Sequence, residues 1–86
     1  VAADVAEARA VLAAAEARLG LARDRRRPLA AEQLRATEEA YEAGLVDLTQ
    51  VLEAAGDVLD AELATAEARA RQDQARHLLA YAEGRL

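Results

Sequence analysis

Val1, Val5, Ala8, Leu12, Ala15, Leu19 and Ala22 step along the chain by 4-3-4-3-4-3. That spacing holds them on one face of an α-helix, as in the seam of a close-packed helix pair. The stripe fails at Arg26, inside Asp24-Arg25-Arg26-Arg27-Pro28, and resumes as Ala30, Leu34, Thr37 and Tyr41. The jump from 22 to 30 is two steps of four, a stutter that locally unwinds a supercoil. Pro28 lies inside the jump, where it either begins a new helix or kinks a long one. Because the same face returns afterwards, the pattern favours a kink or short break over 24–28.

A turn follows. Gly44 fits the left-handed residue that closes a helix, and Leu45 is placed to fold back onto Ala40. Asp47 and Gln50 have the spacing of a capping box, with Val46 and Val51 placed as a hydrophobic staple. These signals predict one helix over about 2–43, a tip at 44–47 and a second helix over about 48–83. Gly84 is placed as the second C-cap.

The second arm carries three stripes. Leu48, Leu52, Ala55, Leu59, Leu63, Ala66 and Ala70 form the first, continued after a slip near Gln72-Asp73-Gln74 by Ala75, Leu79, Ala82 and Leu86. Val51, Ala54, Val58, Ala61 and Ala68 form the second. Gln50, Glu53, Asp57, Asp60, Ala64, Glu67, Arg71 and Gln74 form a third, mostly polar one. Two apolar faces on one helix predict two neighbours, one more than a lone hairpin offers. The predicted fold is therefore all-α: a long antiparallel helical hairpin, each arm roughly 55–60 Å long at the helical rise.

Composition narrows the picture. Of 86 residues, 25 are Ala, 13 Leu and 6 Val, with two Tyr and no other aromatic, so the chain brings backbones together without filling a thick core. Four Gly and one Pro leave too few turns for a many-stranded β fold. The absence of Cys removes disulfide scaffolds and cysteine-rich zinc sites. No apolar run approaches the roughly 20 residues of a membrane span. A net charge of −5 disfavours a nucleic-acid binder. The chain begins at Val1 without Met, which reads as a trimmed chain or a fragment.

Little points to chemistry. His77, the only histidine, has Asp73 one turn before it but lacks further ligands at metal-binding spacing, so it reads as a surface or interface residue. No Ser or Cys nucleophile exists, and the carboxylates fall on solvated helix faces, so neither an enzyme nor a cofactor is expected. Arg25-Arg26-Arg27 has the charge to meet a phosphate or lipid head group but reads more simply as a solvated irregularity. The acids Asp57, Asp60 and Glu67 are either the wet side of an amphipathic helix or, in a closed ring of hairpins, a negative lining of the lumen; the oligomer decides which.

The tip, Tyr41-Glu-Ala-Gly44-Leu-Val-Asp47-Leu-Thr-Gln-Val-Leu-Glu53-Ala54, resembles the periplasmic tip of TolC-like outer-membrane efflux proteins. The returning helix, with Leu78-Leu79-Ala80 before Gly84, looks like the family's Leu-Ala…Gly finish. Pro28-Leu29-Ala30-Ala31-Glu32 is similar to a stretch of the second family repeat, especially in the heavy-metal efflux branch. The resemblance implies a tip hairpin of a trimeric periplasmic α-barrel, a fragment of a larger channel protein in the outer membrane. It implies that Gly44, Leu45, Val46, Asp47 and Leu48 contact a periplasmic adaptor, and that Tyr41, Gln50 and Glu53 lie near the channel entrance. Gln50 and Val46 depart from members that carry an acid and a base there. The isolated hairpin is expected to form a dimer or higher association. Two other readings compete: a self-associating four-helix-bundle module, and the hairpin of an adaptor protein itself.

Overall fold

The computed structural model describes residues 2–84, with side chains from Asp4. Val1 and Leu86, the outermost members of two predicted stripes, lie outside the described residues. The chain forms helix α1 (Ala2–Leu21), a π-helical turn (Ala22–Arg26), helix α2 (Arg27–Glu42) and, after a short tip, helix α3 (Leu48–Ala82). Both α1 and α2 pack along α3, which makes an all-α antiparallel hairpin with dimensions of 63 × 15 × 13 Å.

The first arm neither breaks nor leaves the helical basin. Leu21, Arg26 and Arg27 all keep right-handed helical dihedrals. The irregularity appears as the π turn over 22–26, slightly ahead of the 24–28 expected from the sequence. A π turn holds one more residue than an α turn. It therefore accommodates the 4-4 spacing that brings Ala30 back to the seam after Ala22. Pro28 enters at the start of α2, where its missing N–H and its ring are least disruptive. Arg26, at the position where a regular heptad would require an apolar residue, is exposed.

The seam is built on alanine. Ala8, Ala15 and Ala22 of the first arm are buried, as are Ala54, Ala61, Ala68 and Ala75 of α3. Each set repeats every seven residues, which places a methyl group at the same point of successive turns and lets the backbones approach. Larger residues alternate with them: Val5, Leu12 and Leu19 on α1, and Val51, Val58, Thr65 and Leu79 on α3. Small against large lets the two surfaces interdigitate. Thr65 is the one buried polar residue among those described, and its hydroxyl donates to the Ala61 carbonyl at 2.9 Å.

This seam takes the second of the two apolar stripes of α3 and, beyond Ala68, the residues Ala75, Leu79 and Ala82 that the sequence pattern assigned to the first. It runs from Val51 to Ala82 without a slip, carrying a half-buried Gln72 through the region where the Leu stripe loses register. The Leu stripe itself stays in solvent. Leu48, Leu52, Leu59 and Leu63 are all more than half exposed.

Candidate functional site

The tip is locked by backbone geometry. Gly44 adopts φ 75°, the left-handed conformation. Its N–H donates to the Tyr41 carbonyl at 3.0 Å, and the Leu45 N–H donates to the Ala40 carbonyl at 2.9 Å. This nested pair is a Schellman closure, which satisfies the last carbonyls of α2. Leu45 thus reaches back to Ala40 through its backbone only. The residue is 78% exposed, so the fold-back expected from the sequence does not bury it.

Asp47 restarts the chain as α3. Its carboxylate accepts from the Gln50 N–H at 3.1 Å, and the Gln50 side-chain oxygen accepts from the Asp47 N–H at 3.1 Å. The capping box is complete on both sides. Val46 and Val51 flank it, each half-buried.

The residues singled out at the tip fall into two groups. Gly44, Asp47 and Gln50 hold the turn in shape. Leu45, Leu48 and Tyr41 project into solvent, an apolar cap on an otherwise acidic end. Gln50 is only partly available as an entrance residue, because its carbonyl oxygen is committed to the capping box. Gln50, Glu53 and Asp57 line a small groove of about 380 Å³ between α2 and α3, with Gln33, Thr37 and Ala40 opposite. Tyr41 does not line it.

A larger open groove, about 900 Å³, lies between α1 and α3. Val11, Leu21 and Leu78 form its apolar rim, and Arg18, Arg26 and Arg71 bring charge to it. Glu67 lies in this groove and Asp57 in the first one, while Asp60 is exposed between them. On α3 the residues Gln50, Glu53, Asp57, Asp60, Ala64, Glu67, Arg71, Gln74 and Leu78 step by three and four, so both grooves open on one flank of the hairpin. The Leu stripe of α3 lies on the opposite, outward side. Sequence periodicity identified the polar stripe but missed that two inter-helix grooves run along it. The apolar Val11 and Leu21 of the first arm were the unread signal.

Charge chemistry is confined to the surface. Arg9 of α1 reaches Glu83 at 3.2 Å, tying the open ends of the arms together. Arg35 pairs with Glu32 and Glu39 on α2. In the π turn, the Arg23 guanidinium donates to both carboxylate oxygens of Asp24, at 2.8 and 3.0 Å. That hydrogen bonding, with the positive charge behind it, holds the Asp24 carboxyl below the usual range and raises Arg23. His77 and Asp73 are exposed. Among the described residues, no three His, Cys, Asp or Glu side chains gather as a metal site, and no helix is long and apolar enough to cross a membrane. No protein-family model matches this chain, and no curated protein or solved structure does either.

Proposed function

We propose that the chain is a structural stave and docking tip: one hairpin of the periplasmic helical wall of an outer-membrane efflux channel. In this reading Leu45 and Leu48, held out by the Gly44 closure, meet a periplasmic adaptor. The whole channel would be a trimer, with transport driven by a separate inner-membrane pump.

One observation carries the reading. The hairpin keeps two different apolar faces uncovered, on opposite sides and on different arms. Val11, Leu21 and Leu29 belong to the first arm, and Leu48, Leu52, Leu59 and Leu63 to α3. A closed pair of identical hairpins covers one shared patch per copy. Two unlike patches on opposite sides fit a side-by-side array, in which each hairpin covers a neighbour on either hand. The tip resemblance to TolC-like proteins adds the location and the adaptor.

The test has two parts. The parent gene should encode, beside these 86 residues, segments of alternating β pattern and a second hairpin; their absence sinks the channel reading. A periplasmic adaptor hairpin encoded by the same genome should bind the chain, and Leu45→Asp should abolish binding while leaving helicity unchanged. Binding that ignores Leu45→Asp removes the docking role.

A further inference from the structure

Charge is sorted along the hairpin axis. The turn and the Arg9–Glu83 pair set the arms in register, so residues 18–27 lie level with about 63–72 of α3. Within this central band sit Arg18, Arg23, Arg69, Arg71 and the Arg25–Arg27 run, against only Asp24 and Glu67. The tip half, 28–62, is the reverse: nine acids and a single base, Arg35. The chain is acidic as a whole, yet its middle is strongly basic.

The groove flank carries both signs. Towards the tip it presents Glu53, Asp57 and Asp60, and at the central groove Arg18, Arg26 and Arg71. Among the described residues none of these six is in an ion pair within the hairpin. The rim of the central groove, Val11, Leu21 and Leu78, is also 45–60% exposed.

We infer that this flank is self-complementary, and that its occupant is a second copy of the chain lying antiparallel across a two-fold axis near the level of Leu63. That placement sets the acidic tip segment of each copy over the arginine groove of the other, twice by symmetry. The two apolar rims are covered in the same step. A parallel pair is disfavoured, because it sets acids on acids and arginines on arginines. The flank is long enough. A face within the 63 × 15 Å outline gives about the 800 Å² per partner of a standard interface. The inference concerns the 86-residue chain by itself and does not rest on the channel reading; loss of adaptor binding leaves it untouched.

Sedimentation of the chain should show a dimer whose dissociation constant rises steeply with salt. R18E/R26E/R71E and E53R/D57R/D60R should each weaken the homodimer by about tenfold or more. An equimolar mixture of the two should restore it. A spin label at Thr49→Cys, on the outward face of α3, reads the orientation. The label–label distance should be roughly 45 Å in the antiparallel dimer and under about 25 Å in a parallel one. A chain that stays monomeric, labels at the short distance, or charge reversals without effect on dissociation would each overturn the inference. If a triple variant loses helicity, Arg71→Gln alone should still flatten the salt dependence, and no change in that slope counts against the proposal.

Discussion

The backbone N–H of Arg27 donates to the carbonyl of Ala22, five residues back instead of four, immediately before Pro28. This bond closes the π turn, and the turn keeps both halves of the first arm on the same seam. The wider turn is a register device. Were residues 22–26 α-helical with the same residue count, the seam residues Ala30, Leu34 and Thr37 would rotate away from α3.

Deleting Arg26 should convert the π turn to α and leave α2 facing α3, because the step from Ala22 to Ala30 then becomes a regular seven residues. Ala30, Leu34 and Thr37 stay on the seam, so stability in urea unfolding should change by less than about 1 kcal/mol. Pro28→Ala leaves the residue count intact and should change stability by less than about 1 kcal/mol. The Arg27–Ala22 bond, detectable by scalar coupling across it, should survive in both, as a five-residue step in Pro28→Ala and an ordinary four-residue step in the deletion.

The same substitution should have opposite signs at two glycines. Gly56 lies inside α3 with open space around it, so Gly56→Ala should stabilise by about 0.5–1 kcal/mol through helix propensity. Gly44 has equal room but a φ of 75°, so Gly44→Ala should destabilise by about 1 kcal/mol from backbone strain alone. Thermal melts of both variants decide this; stabilisation by Gly44→Ala would contradict the Schellman closure.

Ala61 and Leu59 separate the seam from the outer stripe. Ala61 has no exposed surface, and Ala61→Leu should force the arms apart at a cost of about 1–3 kcal/mol. Leu59 is 66% exposed, and Leu59→Ala should lie within about 0.5 kcal/mol of the parent in dilute monomer. If Leu59→Ala proves the costlier change there, the stripes have been assigned in the wrong order.

Asp24 gives a pH signature. Its carboxyl is held low by the Arg23 hydrogen bonds, so it binds its proton more weakly in the folded state than in the unfolded. Its contribution to stability is present above the ordinary carboxylate value and is lost as pH falls through the lowered folded value. The contribution is small, because the pair is exposed. In a carboxyl NMR titration, Asp24 should titrate below the ordinary aspartate value, and Arg23→Gln should bring it back up.

Local signals in the chain were sufficient for the hairpin and its tip. A left-handed glycine, an Asp-x-x-Gln cap and heptad spacing act over a few residues, so no distant contact is needed to read them. The Arg-rich break was legible as a stutter but not as a π turn, because a kink, a break and a wider turn all satisfy the same 4-4 spacing. Which Schellman contact Leu45 makes was half legible: the backbone bond follows from Gly44, whereas the side chain's exposure depends on what lies beyond the tip.

By itself, then, the sequence determined two helices, their antiparallel order and the cap that joins them. It offered two apolar stripes on α3 without saying which one faces the first arm, since both have helical periodicity. Tertiary packing chose the one with alanine every seventh residue, because only methyl-sized side chains let the arms come close. That choice turned the leucines outward and opened the grooves. It also set the arginines of both arms level with one another, a juxtaposition that exists only once residues more than forty apart in sequence are brought side by side.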